Sequence, residues 1–113
     1  MRKSTRILLV LASALLLAMP LVAQTQTGTI SGTVVDTNSS PLPGVTVEVK
    51  SPELQGSRIA VTRSDGTFRF AALPPGTYSI SYRLEGFSPV DESNVTVNIA
   101  TETQRRVTMS AGI

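Results

Sequence analysis

Residues 62–87 read TRSDGTFRFAALPPGTYSISYRLEGF, and the reading of this stretch decides the fold. Asp65-Gly66 stands between two alternating segments, a strong short-range signal for a β-hairpin. In the second arm Phe68 and Phe70 share one face, with Thr67 and Arg69 on the other. A two-residue Asp65-Gly66 loop places Val61 opposite Phe70 and Ile59 opposite Ala72. That register gathers the apolar residues of both arms on one side. Pro75-Gly76 then offers a fixed φ followed by a residue free to take positive φ, the pattern of a type II turn. Beyond it Tyr78, Ile80, Tyr82 and Leu84 alternate with Thr77, Ser79, Ser81 and Arg83 until Gly86-Phe87-Ser88-Pro89 ends the run.

Outward from this stretch the same grammar repeats. Thr29 to Val35 is a strand in which Gly32 predicts a bulge or a close backbone approach. The cluster Asp36 to Pro41 is a turn, and Pro43-Gly44 closes it before Val45, Val47 and Val49 alternate with Thr46, Glu48 and Lys50. Later, Val95, Val97 and Ile99 are expected to point inward from a further strand. Glu102 to Met109 is more polar, and Arg105 and Arg106 suit a sheet edge, where charge discourages intermolecular pairing. About seven short strands, with no helix after the first 23 residues, predict an all-β sandwich of two antiparallel sheets in Greek-key connection. There is no internal repeat and no low-complexity tract.

Ahead of the sandwich, Arg2, Lys3 and Arg6 precede an apolar run from Ile7 to Ala18 broken only by Ser13, and Pro20 and Ala23 follow. This is the anatomy of a cleavable export signal, a leader helix over residues 1–23 with cleavage after Ala23. An uncleaved anchor is the competing reading, and Pro20 with the polar spacer of residues 24–27 favours cleavage. The division is therefore 1–23 signal peptide, 24–27 spacer, 28–109 sandwich and 110–113 tail, with no membrane span in the mature chain.

Composition removes several function classes. The chain of 113 residues has 10 basic and 8 acidic side chains; without the three basic residues of the leader the balance is 7 against 8, a net of −1. A near-neutral domain with interspersed charge has no electrostatic footprint for nucleic acid. Cysteine and histidine are both absent, so disulfides, thiolate chemistry and the usual zinc sites are excluded. Serine and threonine are plentiful but have no histidine base, and Lys50, the one lysine after the leader, lies on an outward strand face. No catalytic, cofactor or metal residue is expected. Asp65 with Asp36 or Asp91 lacks the clustered oxygens calcium requires, so Asp65 is read as a turn residue. Lys50 with Asn94 or Asn98 lacks the buried site that an isopeptide bond needs. Of five aromatics, Phe68, Phe70, Tyr78 and Tyr82 fall on the core period, which leaves Phe87 as the candidate ligand-binding ring.

The ordered set of Gly32, Asp36, Pro43-Gly44-Val45 with Val47, Asp65-Gly66 with Phe68, Leu73, Pro75-Gly76, Tyr78 and Gly86-Phe87 resembles the carboxypeptidase regulatory-like domain, a transthyretin-like sandwich. The resemblance spans Gly28 to about Met109. It implies a non-catalytic accessory or interaction domain, found on metallocarboxypeptidases and near the N-terminus of TonB-dependent outer-membrane receptors. The leader followed at once by this domain looks like the receptor arrangement. Such a receptor continues into a plug and barrel, so this chain is expected to be either that receptor's N-terminal part or a free-standing exported domain. Its expected address is the periplasm, the outer membrane or the medium, with a protein or a glycan of the cell envelope as partner. The glycan alternative follows from likeness of fold to starch-binding modules. N-terminal sequencing of the exported chain is expected to begin at Gln24; a start at Met1 would favour the anchor.

Overall fold

A computed structural model describes residues 26–112. The leader helix expected over residues 1–23 lies outside the described residues. Seven strands follow in order: β1 (Gly28–Val35), β2 (Thr46–Lys50), β3 (Ser57–Val61), β4 (Thr67–Leu73), β5 (Gly76–Arg83), β6 (Val90–Val97) and β7 (Glu102–Thr108). They form a three-stranded sheet, β4-β1-β7, packed on a four-stranded sheet, β3-β2-β5-β6. The all-β sandwich read from the sequence is the observed architecture. One pairing departs from the antiparallel rule: β1 and β7 run parallel, Thr29 opposite Glu102 through Val35 opposite Thr108. A parallel pair needs a long crossover, and here the whole intervening domain supplies it.

The core follows the period-2 pattern wherever a strand is long and regular. Val45, Val47 and Val49, then Tyr78, Ile80 and Tyr82, are fully buried, and Phe68, Phe70, Ile30 and Val34 meet them from the other sheet. Phe68 stands edge-on to both Phe70 and Tyr82, with ring centroids 6.1 and 5.8 Å apart. Its ring lies over Gly32, where an added Cβ would come within 2.7 Å of Phe68 Cζ, so Gly32 marks a close approach.

The Asp65-Gly66 region corrects the expected register. β3 does not pair with β4; it pairs with β2, Thr46 opposite Val61, while β4 pairs with β1, Ile30 opposite Phe70. The turn is longer by one residue than expected: Gly66 N–H donates to Arg63 C=O and Arg63 N–H to Thr67 C=O, so the loop is Ser64–Gly66. Gly66 takes φ 76°, the left-handed residue that a three-residue loop requires. A slip of one residue exchanges the faces. Ala60 and Thr62 therefore turn toward the core, and Ile59 and Val61 are exposed, at 60% and 57%. The arms then part into different sheets.

Thr62 explains why this register wins. It is the buried polar residue of the described core, and its hydroxyl both accepts from Val45 N–H at 2.9 Å and donates to Leu42 C=O at 2.6 Å. Its backbone adds Thr62 N–H to Val45 C=O and Gly44 N–H to Thr62 C=O. Four hydrogen bonds thus fasten the end of β3 to the Pro43-Gly44 turn, where Gly44 has φ 80°.

Three further expectations change in detail. Gly76 has φ 158° and opens β5 in extended form, so Pro75-Gly76 is not a type II turn. Ile99 is exposed because β6 ends at Val97 and the chain turns there. The strand begins earlier, at Val90, and carries a bulge at Ser93–Asn94, where Asn94 has φ 59°. Finally, residues 110–112 are joined to the turn after β5: Phe87 bridges Ala111, Ser88 N–H donates to Ser110 C=O and Gly112 N–H to Gly86 C=O. Replacing Thr62 by Val keeps the volume but leaves Val45 N–H and Leu42 C=O buried without partners. Urea unfolding is expected to show a loss of about 1–3 kcal/mol, and an unchanged midpoint would refute the clamp.

Candidate functional site

The outer surfaces carry the candidate sites, since the interior is filled by side chains. Each open flank of the sandwich is closed by an arginine. On one, Arg58 of β3 reaches across to donate to Ala71 C=O at 2.6 Å and to Ala72 C=O at 3.2 Å. Those carbonyls are free because β4 bulges there, with Ala72 at φ 56°. On the other flank Arg105 of β7 holds Glu92 of β6 through Nε at 2.9 Å and through a second, charge-assisted contact from its terminal nitrogen. Glu92 also accepts from the Tyr82 hydroxyl at 2.8 Å. Burial, reinforced by Glu92, pushes the Tyr82 hydroxyl well above the usual tyrosine range. The bond to Glu92 raises Arg105 further. This buried-rimmed trio holds two sheets together, and each polar group in it is used.

Residues singled out for chemistry are dispersed. Asp36 Oδ1 accepts from the backbone of Asn38 and Ser40 within its own loop. Asp65 Oδ1 accepts from Thr67 N–H at 3.1 Å and Thr67 Oγ1 at 2.6 Å, and Asp91 pairs with Arg83 at 3.0 Å. Among the described residues no three acidic side chains gather as a metal site. Lys50 Nζ is 2.9 Å from Glu48 Oε1 on an exposed face, and Asn94 and Asn98 are exposed.

Phe68, Phe70, Tyr78 and Tyr82 are buried, and Tyr78 donates to Pro74 C=O at 2.6 Å. Phe87 is half-buried against the core and lines a shallow depression with Thr46, Arg83, Leu84 and Pro89. A larger open depression of about 650 Å³ lies on the outer face of the four-stranded sheet, with Lys50, Ser57, Thr77, Ser79 and Asn94 on its walls. It is hydroxyl-rich and offers no exposed aromatic ring. Among the described residues the exposed large apolar side chains are Ile59, Val61 and Ile99. Sequence reasoning missed the first two, which the two-residue loop had turned inward; Gly66 was the signal that could have found them, since it also fits a three-residue loop. Arg105 and Arg106 do lie on an edge strand, as expected.

The model of the Carboxypeptidase regulatory-like domain matches residues 29–110. A relative, the TonB-dependent transporter Oar of Myxococcus xanthus, is 39% identical over 75 residues, which is 66% of this chain and 7% of the transporter's length. Among solved structures, the minor pilin of Streptococcus agalactiae has TM-score 0.63 at 16% identity, over 78% of this chain and 46% of the pilin. A chain of the type II cohesin–X-dockerin complex from Acetivibrio cellulolyticus has TM-score 0.61 at 24% identity, over 75% and 58%. At these identities the two structures show likeness of fold.

The Thr67 bonds hold the Asp65 carboxyl below the ordinary 3.8. A depressed folded-state pKa adds stability that is present above the unfolded value and lost as pH falls through the folded one. Thermal melts of wild type and Asp65→Asn between about pH 5 and pH 2 are expected to converge as the pH drops. Parallel curves would refute a charged Asp65 turn.

Proposed function

The chain belongs to the carboxypeptidase regulatory-like domain family, and from that membership we propose that it is an exported, non-catalytic accessory domain of a TonB-dependent transport system, working by binding protein at the cell envelope. The 39% identity with the Myxococcus transporter, over 75 residues, carries this reading. The chain spans 7% of that transporter's length, so transport itself is assigned to other parts of such a system.

The chemistry of the domain agrees. The sequence has no histidine or cysteine, and among the described residues Asp36, Asp65, Asp91 and Glu92 are each engaged by a neighbouring donor and no ligand set gathers to support hydrolysis. Among the described residues no helix is long and apolar enough to cross a membrane. What the surface does offer is backbone at strand edges, beside exposed Ile59 and Val61, where a partner strand can add. A glycan partner has one half-buried ring, Phe87, to stack on, and protein is the better match.

The test is a tagged chain carrying a photo-crosslinking residue at position 61, expressed in a bacterial host with two membranes. Recovery from the envelope fraction with a light-dependent protein adduct is expected, together with no peptide hydrolysis by the purified chain. Cytoplasmic recovery, absence of any adduct, or peptidase activity would overturn the proposal.

A further inference from the structure

The two sheets have four outer edges, and three of them are guarded. On β4 the bulge at Ala71–Ala72 interrupts the ladder and the Arg58 guanidinium covers both carbonyls. On β6 the bulge at Asn94 does the same, with Arg83 donating to Val90 C=O and Thr103 to Thr96 C=O. On β7, Arg105 and Arg106 place charge along the strand. β3 is different. It has five regular residues, Ser57–Val61, with no bulge in its pairing to β2, and it presents Ile59 and Val61 to solvent.

The backbone phase of β3 follows from Thr62, whose N–H points back to Val45 C=O. In an antiparallel ladder successive residues alternate, so Ala60 and Arg58 also direct their backbone toward β2. Ser57, Ile59 and Val61 therefore turn their N–H and C=O groups outward. The residues with free backbone are the same ones whose side chains are exposed on the outer face, apolar at two of three positions.

We propose that β3 is a homotypic edge, on which a second copy of this chain adds its own β3 antiparallel about a twofold axis at Ile59. In that register Ile59 faces the second copy's Ile59 and Ser57 faces its Val61. Every outward N–H and C=O of both strands then has a partner, and the two four-stranded sheets become one. Self-complementarity favours this occupant, since the five residues of β3 satisfy one another's outward backbone groups in this register. Arg58, the one charged residue of β3, is drawn across the flank by Ala71 and Ala72 and falls opposite an alanine, Ala60. Within the paired strands no like charges meet, and the Ile59 pair is apolar. This names the partner for the protein-binding role proposed above and rests on that reading.

The experiment is sedimentation equilibrium of the purified chain, with Ile59→Lys, Ile59→Cys and Arg106→Cys beside wild type. The native sequence has no cysteine, so each introduced thiol is the chain's own and only one. Directly opposed residues in such a pair have Cα atoms about 5.5 Å apart, within disulfide reach. A concentration-dependent dimer is expected, with Ile59→Lys raising its Kd at least about tenfold through lost apolar contact and two facing ammonium groups. Because Ile59 is exposed, its thermal midpoint should match wild type when both are measured dilute enough to be monomeric. Ile59→Cys should link into dimers on mild oxidation, and Arg106→Cys should not. A monomer at every concentration, a Lys variant that dimerises like wild type, or linkage through position 106 and not 59 would overturn the proposal. If the chain is monomeric yet photo-crosslinks to a different envelope protein, self-pairing fails and the protein-binding role stands; if it does neither, both fail.

Discussion

A single buried hydroxyl governs how the chain crosses from one sheet to the other. Thr62 sits at the end of β3, and its Oγ1 satisfies the donor of Val45 and the acceptor of Leu42 at once. A buried hydroxyl is stable only when its hydrogen bonds are made, so this position admits one local geometry. With residue 62 turned inward, the phase of β3 is set along its whole length. The three-residue Ser64–Gly66 loop then delivers Phe68 and Phe70 to the opposite layer of the core. Strand pairing, core content and the identity of the exposed apolar residues all descend from this point.

The flanks show a related economy. Where strands bulge and free their carbonyls, long basic side chains occupy them: Arg58 over Ala71 and Ala72, Arg83 over Val90. Arg105 reaches Glu92 between layers, and Tyr82 joins them from the core. The Arg58 and Arg83 contacts lie at the surface and are screened by solvent, so each contributes modestly to stability, whereas the Tyr82–Glu92–Arg105 trio is partly buried. Their larger effect is to occupy edges that would otherwise recruit strands. Placing guards on three edges while leaving β3 regular and apolar concentrates pairing capacity on one side of the molecule.

Much of this was legible from residue types alone. The Val45–Val49 and Tyr78–Tyr82 alternations define buried faces because a half-buried strand has period 2, and both are buried as read. The charged edge strand at Arg105 and Arg106 was likewise visible. The register through Asp65-Gly66 was not. A glycine after aspartate fits a two-residue or a three-residue loop, and the choice depends on Thr62 meeting Leu42 and Val45, residues distant in sequence. The bulges at Ala72 and Asn94 and the outward turn of Ile99 have the same origin, since tertiary pairing and not local preference places them. The surroundings of Phe87 were half legible: its aromatic character was evident, but its backbone bridge to Ala111 requires the folded chain.

The parallel pairing of β1 with β7 has a consequence for when the domain can exist. The first strand is the middle of its sheet, and one of its two neighbours is the last strand of the domain. The contacts that complete that sheet span nearly the whole domain, so contact order is high and folding is correspondingly slow. During synthesis, which proceeds from the N-terminus, β1 has no parallel neighbour until β7 emerges. The topology thus acts as a timer: the three-stranded sheet cannot close until β7, the last strand of the domain, has been made.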